Sequence, residues 1–267
     1  MTRFQSFKAV LAGAGVAVVL AAGTSHAAPA ATKSAAPAAS KSAPPAAPKI
    51  EPGAVQALSR MSAYLRTNQA FQVTSMALRD EVDAYGQNVT FGGSTTYRVK
   101  APNAFSIELT EGNGTRNYVY DGKTVTVYDP KTGFYAQVAG APTIRQTLDL
   151  AEAKYGLTVP LDDLFHWDQS EEYAKKLTSA HFVGKTKVAG QDADQYAFRQ
   201  AGVDWQIWIA AGARPLPLRV TIVASQDPAR PRFQADLAWD TDPKFTAETF
   251  VFSPPPGAKP IPIASNP

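Results

Sequence analysis

The chain has 267 residues, 45% of them hydrophobic and 10% aromatic, enough apolar surface for one sizeable core, and this excludes a wholly disordered chain. Its formal charge is 26 − 23 = +3, but five basic residues (Arg3, Lys8, Lys33, Lys41, Lys49) and no acids precede position 51, so residues 51–267 carry 21 − 23 = −2. Such a body offers no basic face to track phosphates, so nucleic acid is not an expected partner, and the absence of cysteine excludes disulfides, thiolate metal sites, a cysteine nucleophile and an N-terminal lipidated cysteine.

At the N-terminus, Arg3 and Lys8 precede a 14-residue apolar run, Ala9 to Ala22, which ends in small residues with Ser25-His26-Ala27. That order predicts a signal peptide over 1–27, cleaved after Ala27, and hence a periplasmic protein. A spanning helix needs about 20 apolar residues, so no transmembrane span is expected after cleavage. No Arg-Arg pair precedes the run, so the twin-arginine route is not suggested. Residues 28–51 are rich in Ala, Pro, Ser and Lys, with five prolines and no aromatic residue. They read as a disordered linker, because they bury too little to offset their ordering entropy.

The folded domain is expected over 52–257. Val55, Leu58, Met61 and Leu65 recur at helical spacing within Gly53 to Asn68. The period then changes to two. Val89, Phe91, Thr95, Tyr97 and Val99 alternate with polar residues, as do Phe105, Ile107 and Leu109. Gly92-Gly93-Ser94 reads as a bulge. Asp121-Gly122 is the pair favoured in a two-residue type I′ turn, which would set Tyr120 against Lys123 and Tyr118 against Val125. Hairpin material follows at Phe134–Val138. A second helix is predicted over 143–155 from Ile144, Leu148, Ala151 and Tyr155, opened by Thr143 or Pro142 and closed by Gly156. Leu161–Trp167 suggests a further helical turn. Strands resume at His181–Val188, Gln195–Gln200, Trp205–Ala210, Leu216–Ala224 and Phe233–Trp239, with a last one at Thr246–Phe252. Pro254, Pro255, Pro256, Pro260 and Pro262 then stop any strand, leaving a Pro-rich tail over 258–267.

The fold class expected is mainly β (α+β): a strongly curved antiparallel sheet or incomplete β-barrel of about eleven strands, with two short helices on its concave side. So long a sheet exposes adhesive edges unless it curls, and two short helices do not fill its concave face, which leaves room for a cavity.

The order of elements, the hairpin Tyr120-Asp121-Gly122-Lys123-Thr124-Val125-Thr126-Val127-Tyr128-Asp129-Pro130 and the ending Phe250-Val251-Phe252-Ser253-Pro254-Pro255-Pro256-Gly257 resemble the LolA/LolB-like lipoprotein carriers. More closely, Arg60-Met61-Ser62-Ala63-Tyr64-Leu65, Thr96-Tyr97-Arg98-Val99-Lys100-Ala101-Pro102 and Pro160-Leu161-Asp162-Asp163-Leu164-Phe165 look like a family of predicted periplasmic proteins in that superfamily. The resemblance covers roughly 52–257 and implies a LolA-like fold. Carriers of the LolA type hold acyl chains in the apolar concavity of an incomplete barrel lidded by helices. Their ligand-gating arginine has no assignable counterpart here, so no functional residue is carried over.

Chemistry is sparse. After residue 27 only His166 and His181 remain. Without His-x-x-x-His or Glu-x-x-His spacing they make no usual zinc site. His166, in Leu164-Phe165-His166-Trp167, reads as structural and His181 as a surface residue. Asp162-Asp163 and Glu171-Glu172 are adjacent pairs, whose side chains diverge on a helix or a strand and so do not converge as acid and base. No Gly-x-Ser-x-Gly elbow or phosphate-binding glycine loop appears. The expectation is a non-enzymatic protein without cofactor or metal. Trp205, Ile207 and Ile209 share a strand face, with Trp208 opposite. They read as core, or as the wall of an apolar pocket together with Phe91, Tyr97, Phe105, Ile107, Tyr118, Tyr120, Val125, Leu218 and Trp239. The function expected is a periplasmic binder or carrier of a lipidic or other apolar ligand, such as lipoprotein acyl chains. The alternative is an envelope regulatory or scaffolding module that binds another protein, as some LolA-like domains do in stress sensing.

Overall fold

Period-two alternation over most of the chain builds a single ladder in the computed structural model, which describes residues 49–112, 114–159, 161 and 174–264. Helix α1 (Pro52–Thr67) precedes six strands: β1 (Ala70–Val82), β2 (Asn88–Lys100), β3 (Ala104–Glu111), β4 (Gly114–Tyr120), β5 (Thr124–Asp129) and β6 (Phe134–Ala139). Helix α2 (Ile144–Tyr155) interrupts them. Strands β7 (Ser179–Val188), β8 (Gln191–Gln200), β9 (Val203–Ala210), β10 (Pro217–Ala224), β11 (Arg232–Asp240) and a short β12 (Lys259–Pro260) complete the order. All join one 12-stranded sheet in the order β12-β6-β5-β4-β3-β2-β1-β11-β10-β9-β8-β7. Two meanders are thus joined where β1 pairs with β11, and every pair is antiparallel except β12 with β6. The sheet curves but stays open, with β12 and β7 as its edges.

Both edges are partly covered by chain ends. On β7, Ile50 bridges Ala180, Ala180 N–H donates to the Lys49 carbonyl at 2.9 Å and Phe182 N–H donates to Glu51 Oε2 at 3.1 Å. On β6, Lys259 N–H donates to the Gly133 carbonyl at 2.9 Å and Ile261 N–H to that of Tyr135 at 2.8 Å. Pro260 sits between these two donors, where no N–H is required. The expectation that the tail prolines end all pairing therefore gives way to a two-residue parallel strand.

Both helices lie on the concave face. Pro52 opens α1 at its first turn. Its buried stripe is Ala54, Ala57, Leu58, Met61, Ser62 and Leu65, rotated toward small residues from the stripe through Val55, so the helix approaches the sheet closely. Thr143 caps α2 by accepting from Gln146 N–H at 3.2 Å, and Gly156 closes it at φ 64°.

Three local expectations change. The Asp121 turn is shifted: Tyr120 pairs with Val125 and Tyr118 with Val127. The Asp121 carboxylate, accepting from Lys123 N–H at 2.8 Å and Thr124 N–H at 2.7 Å, closes the loop, and only Gly122 has positive φ, at 95°. A shift of two residues preserves parity, so Tyr118, Tyr120, Val125 and Val127 still share a face. Gly92-Gly93-Ser94 is not a bulge, since β2 keeps one register against both neighbours. A Cβ on Gly93 would stand 2.9 Å from the Thr110 carbonyl oxygen, so close strand approach explains that glycine. Register shifts occur instead at Phe182/Gly184 and Pro217/Arg219. Residues 246–252 hold no strand: Ala247–Phe250 is a 3-10 helix that buries Phe250. Of the helical turn expected at Leu161–Trp167, only Leu161 falls within the described residues.

Gly122→Val is expected to cost about 1–3 kcal/mol, read as a lowered denaturant midpoint. The new Cβ would meet Asn103 Nδ2 at 2.9 Å as well as forcing positive φ on a β-branched residue. An unchanged midpoint would contradict this turn geometry.

Candidate functional site

The concave face divides into two apolar clusters. In the first, cross-strand neighbours run Val73, Tyr97, Ile107, Tyr118 over β1 to β4. Phe105, Tyr120 and Val125 join them, with Ile144 and Leu148 of α2 packed on top. Tyr97 and Tyr120 are 0% exposed. The Tyr120 hydroxyl donates to the Ala141 carbonyl, which also accepts from Thr147 Oγ1 at 3.1 Å, and this ties α2 to the sheet. In the second, α1 lays Leu58, Met61 and Leu65 against Tyr196, Phe198, Ile207 and Ile209 of β8 and β9.

Of the eleven predicted lining residues, the structure gathers Tyr97, Phe105, Ile107, Tyr118, Tyr120 and Val125 into the first cluster and Ile207 into the second. All seven are buried among the chain's own side chains. Leu218 is not brought to either. The irregularity at Pro217/Arg219 places it in a separate small cluster with Val188 and Ala193, against which Trp208 packs. Phe91 lies past the core, 43% exposed, with the Arg79 guanidinium 6.0 Å from its ring centroid. Trp205 and Trp239 remain. They are half-buried and pack against both clusters, and so mark the seam between the surface covered by α1 and that covered by α2.

The two indoles differ in one respect. Trp239 Nε1–H donates to the Pro217 carbonyl at 2.7 Å, and its ring lies 5.5 Å from that of Phe71. Trp205 stacks on Phe198 at 4.2 Å with planes 19° apart, but its Nε1–H is buried and meets no acceptor among the described residues. A buried donor left unpaired costs about 1–3 kcal/mol. The seam therefore joins aromatic surface to one unanswered hydrogen-bond donor, the composition of an apolar ligand site with few polar groups. Phe198, stacked on Trp205, belongs to this site and is absent from the residues predicted for it, whereas Phe71 lies with Trp239, six residues along β11 from the Phe233 that is level with Trp205.

Among the described residues the titratable groups assemble no acid–base pair in the seam. Tyr196, beside α1, has its hydroxyl pKa raised, first by burial and then by the Asp194 carboxylate. His181 is exposed on β7. His166, Asp162-Asp163 and Glu171-Glu172 lie outside the described residues. Among the described residues no group of three or more His, Asp or Glu is placed to hold a metal ion, and no helix is long and apolar enough to cross a membrane.

The family model described as "Predicted periplasmic protein (DUF2092)" matches residues 54–264. Among solved structures, the chain is similar to the lipoprotein LppX of Mycobacterium tuberculosis, with 12% identity, 73% of this chain and 98% of that one covered, and a TM-score of 0.45. It is similar to LprF of Mycobacterium bovis, with 13% identity, coverage of 80% and 100%, and a TM-score of 0.41. A LolA-superfamily protein of Nitrosomonas europaea gives 7% identity, coverage of 74% and 97%, and a TM-score of 0.31. Overlaps this loose support no functional reading. Among curated proteins none matches the sequence.

Proposed function

The chain belongs to the DUF2092 family of predicted periplasmic proteins, and from that premise we propose that its mature form, beginning at Ala28, is a non-enzymatic periplasmic binder or carrier of an acyl-bearing molecule. The guest lies in the seam between α1 and α2, because the flanking Tyr97, Tyr120 and Ile207 are already buried by the chain itself. The observation that carries the reading is the Trp205 Nε1–H, buried without an acceptor among the described residues beside aromatic surface shared by both clusters. A carboxyl or ester oxygen supplies that acceptor, and an acyl chain supplies the apolar contact. Burial releases about 0.8 kcal/mol per CH₂, so about six methylenes give roughly 5 kcal/mol before the cost of association.

Calorimetric titration of the mature protein with a fatty acid or a lysophospholipid tests this. Saturable binding is expected. Trp205→Phe keeps an aromatic ring but removes the indole N–H donor, so it should weaken binding about three- to tenfold. Trp208→Phe, on the opposite face, should leave the affinity unchanged. No saturable binding by the unaltered protein, or equal loss in both variants, overturns the reading.

A further inference from the structure

On the outer face of the sheet, away from both helices, Asp240, Gln72, Arg98 and Ser106 form one row across β11, β1, β2 and β3, each opposite the next. The chain leaving β11 returns over this row, and Phe245 and Thr249 help enclose a pocket of about 460 Å³. Phe245 is held there by an edge-on contact with the buried Phe250 at 5.2 Å.

Arg98 is half-buried in the floor and forms no ion pair among the described residues. Its row neighbours, Gln72 and Ser106, are neutral and hydrogen-bonding. A guanidinium in that setting presents its donor fork to an oxyanion. Beyond Gln72 stands the Asp240 carboxylate, two strand spacings from Arg98, about 9.5 Å between backbones. Its Oδ1 accepts from Asp242 N–H at 3.0 Å, and the rest of the group faces solvent. Lys244 at the rim is already paired with Asp242 at 2.8 Å, so it adds little net attraction for an anion.

One positive and one negative group two strand spacings apart on a polar floor fit a ligand that carries both charges. We propose that this outer pocket binds a small zwitterion, its phosphate on Arg98 and its ammonium toward Asp240, with Phe245 against the connecting carbons. Phosphoethanolamine is the simplest such molecule, and it occurs free or as a lipid headgroup. The pocket lies on the face opposite Trp205, and the proposal does not rest on the acyl-binding reading.

The test is calorimetry of the mature protein with O-phosphoethanolamine and with inorganic phosphate, alongside co-sedimentation with vesicles of phosphatidylglycerol with and without phosphatidylethanolamine. Phosphoethanolamine should bind at least tenfold more tightly than phosphate. Arg98→Gln should abolish both interactions, and Asp240→Asn should reduce phosphoethanolamine to the level of phosphate. Both side chains are on the outer face, and the circular dichroism spectrum of each variant checks folding. Sedimentation only with the phosphatidylethanolamine vesicles identifies a lipid headgroup as the source, and binding confined to the soluble compound identifies a free metabolite. Absence of binding in both arms, phosphate binding as tightly as phosphoethanolamine, or either folded variant binding like the original protein overturns the proposal.

Discussion

Tyr120→Ala should lower the unfolding free energy by about 3–5 kcal/mol, the range for deleting a large buried aromatic side chain. Tyr120 is 0% exposed, packs its ring 5.4 Å from that of Phe105, and has its hydroxyl on the Ala141 carbonyl. Its ring also fills the space above Gly140, where a Cβ would come within 2.5 Å of Tyr120 Cε2. Truncation thus opens a cavity beneath the turn that leads into α2. Tyr120→Phe should cost only about 1 kcal/mol, because it keeps the ring and the Ala141 carbonyl retains its bond from Thr147 Oγ1. Urea midpoints of the two variants measure the difference. An alanine variant within 1 kcal/mol of the original protein would mean that the first cluster is not packed as described.

The second large effect lies under the other helix. Met61→Ala should cost about 2–5 kcal/mol. Met61 is 0% exposed and joins α1 to the β8–β9 surface, where Tyr196, Phe198 and Ile207 line the same cluster. Ser59, two positions before it, is exposed, and Ser59→Ala should stay within about 0.5 kcal/mol. If Met61→Ala unfolds at the midpoint of Ser59→Ala, α1 is not docked through this stripe.

Much of the fold was legible because alternation survives errors in detail. The Asp-Gly signal sets the Asp121 turn two residues out of register, yet Tyr118, Tyr120, Val125 and Val127 still share one face, since a shift of two leaves parity intact. Both helices were legible from 3.6-residue spacing and from Thr143 and Gly156. Single-residue irregularities were not. The Pro217/Arg219 shift moves Leu218 out of the phase it shares in sequence with Val220 and Ile222. The turn at Ala247–Phe250 has the composition of a strand but buries Phe250 through a 3-10 helix. Strand β1 carries no boundary signal, because the half that runs through Ala77, Arg79 and Glu81 lacks the apolar alternation of Phe71 and Val73.

The candidate site was only half legible, and for a topological reason. Trp205 and Ile207 could be flagged from one strand. That the half of the sheet covered by α2 meets the half covered by α1 at all depends on β1 pairing with β11, a contact between residues more than 150 positions apart that no local pattern encodes. The row of Asp240, Gln72, Arg98 and Ser106 depends on the same pairing and was not visible for the same cause. The lack of an acceptor for Trp205 Nε1–H among the described residues is a property of packing alone.

The central claim is that the seam between the two helices holds an acyl-bearing molecule, and the most direct test is chemical extraction of the protein purified from its native periplasm without detergent, followed by mass spectrometry. The account predicts a fatty acyl compound recovered at close to one molecule per chain, reduced several-fold from Trp205→Phe purified in parallel and unchanged from Trp208→Phe. Folded protein that yields no acyl compound, or yields the same amount from all three, contradicts it.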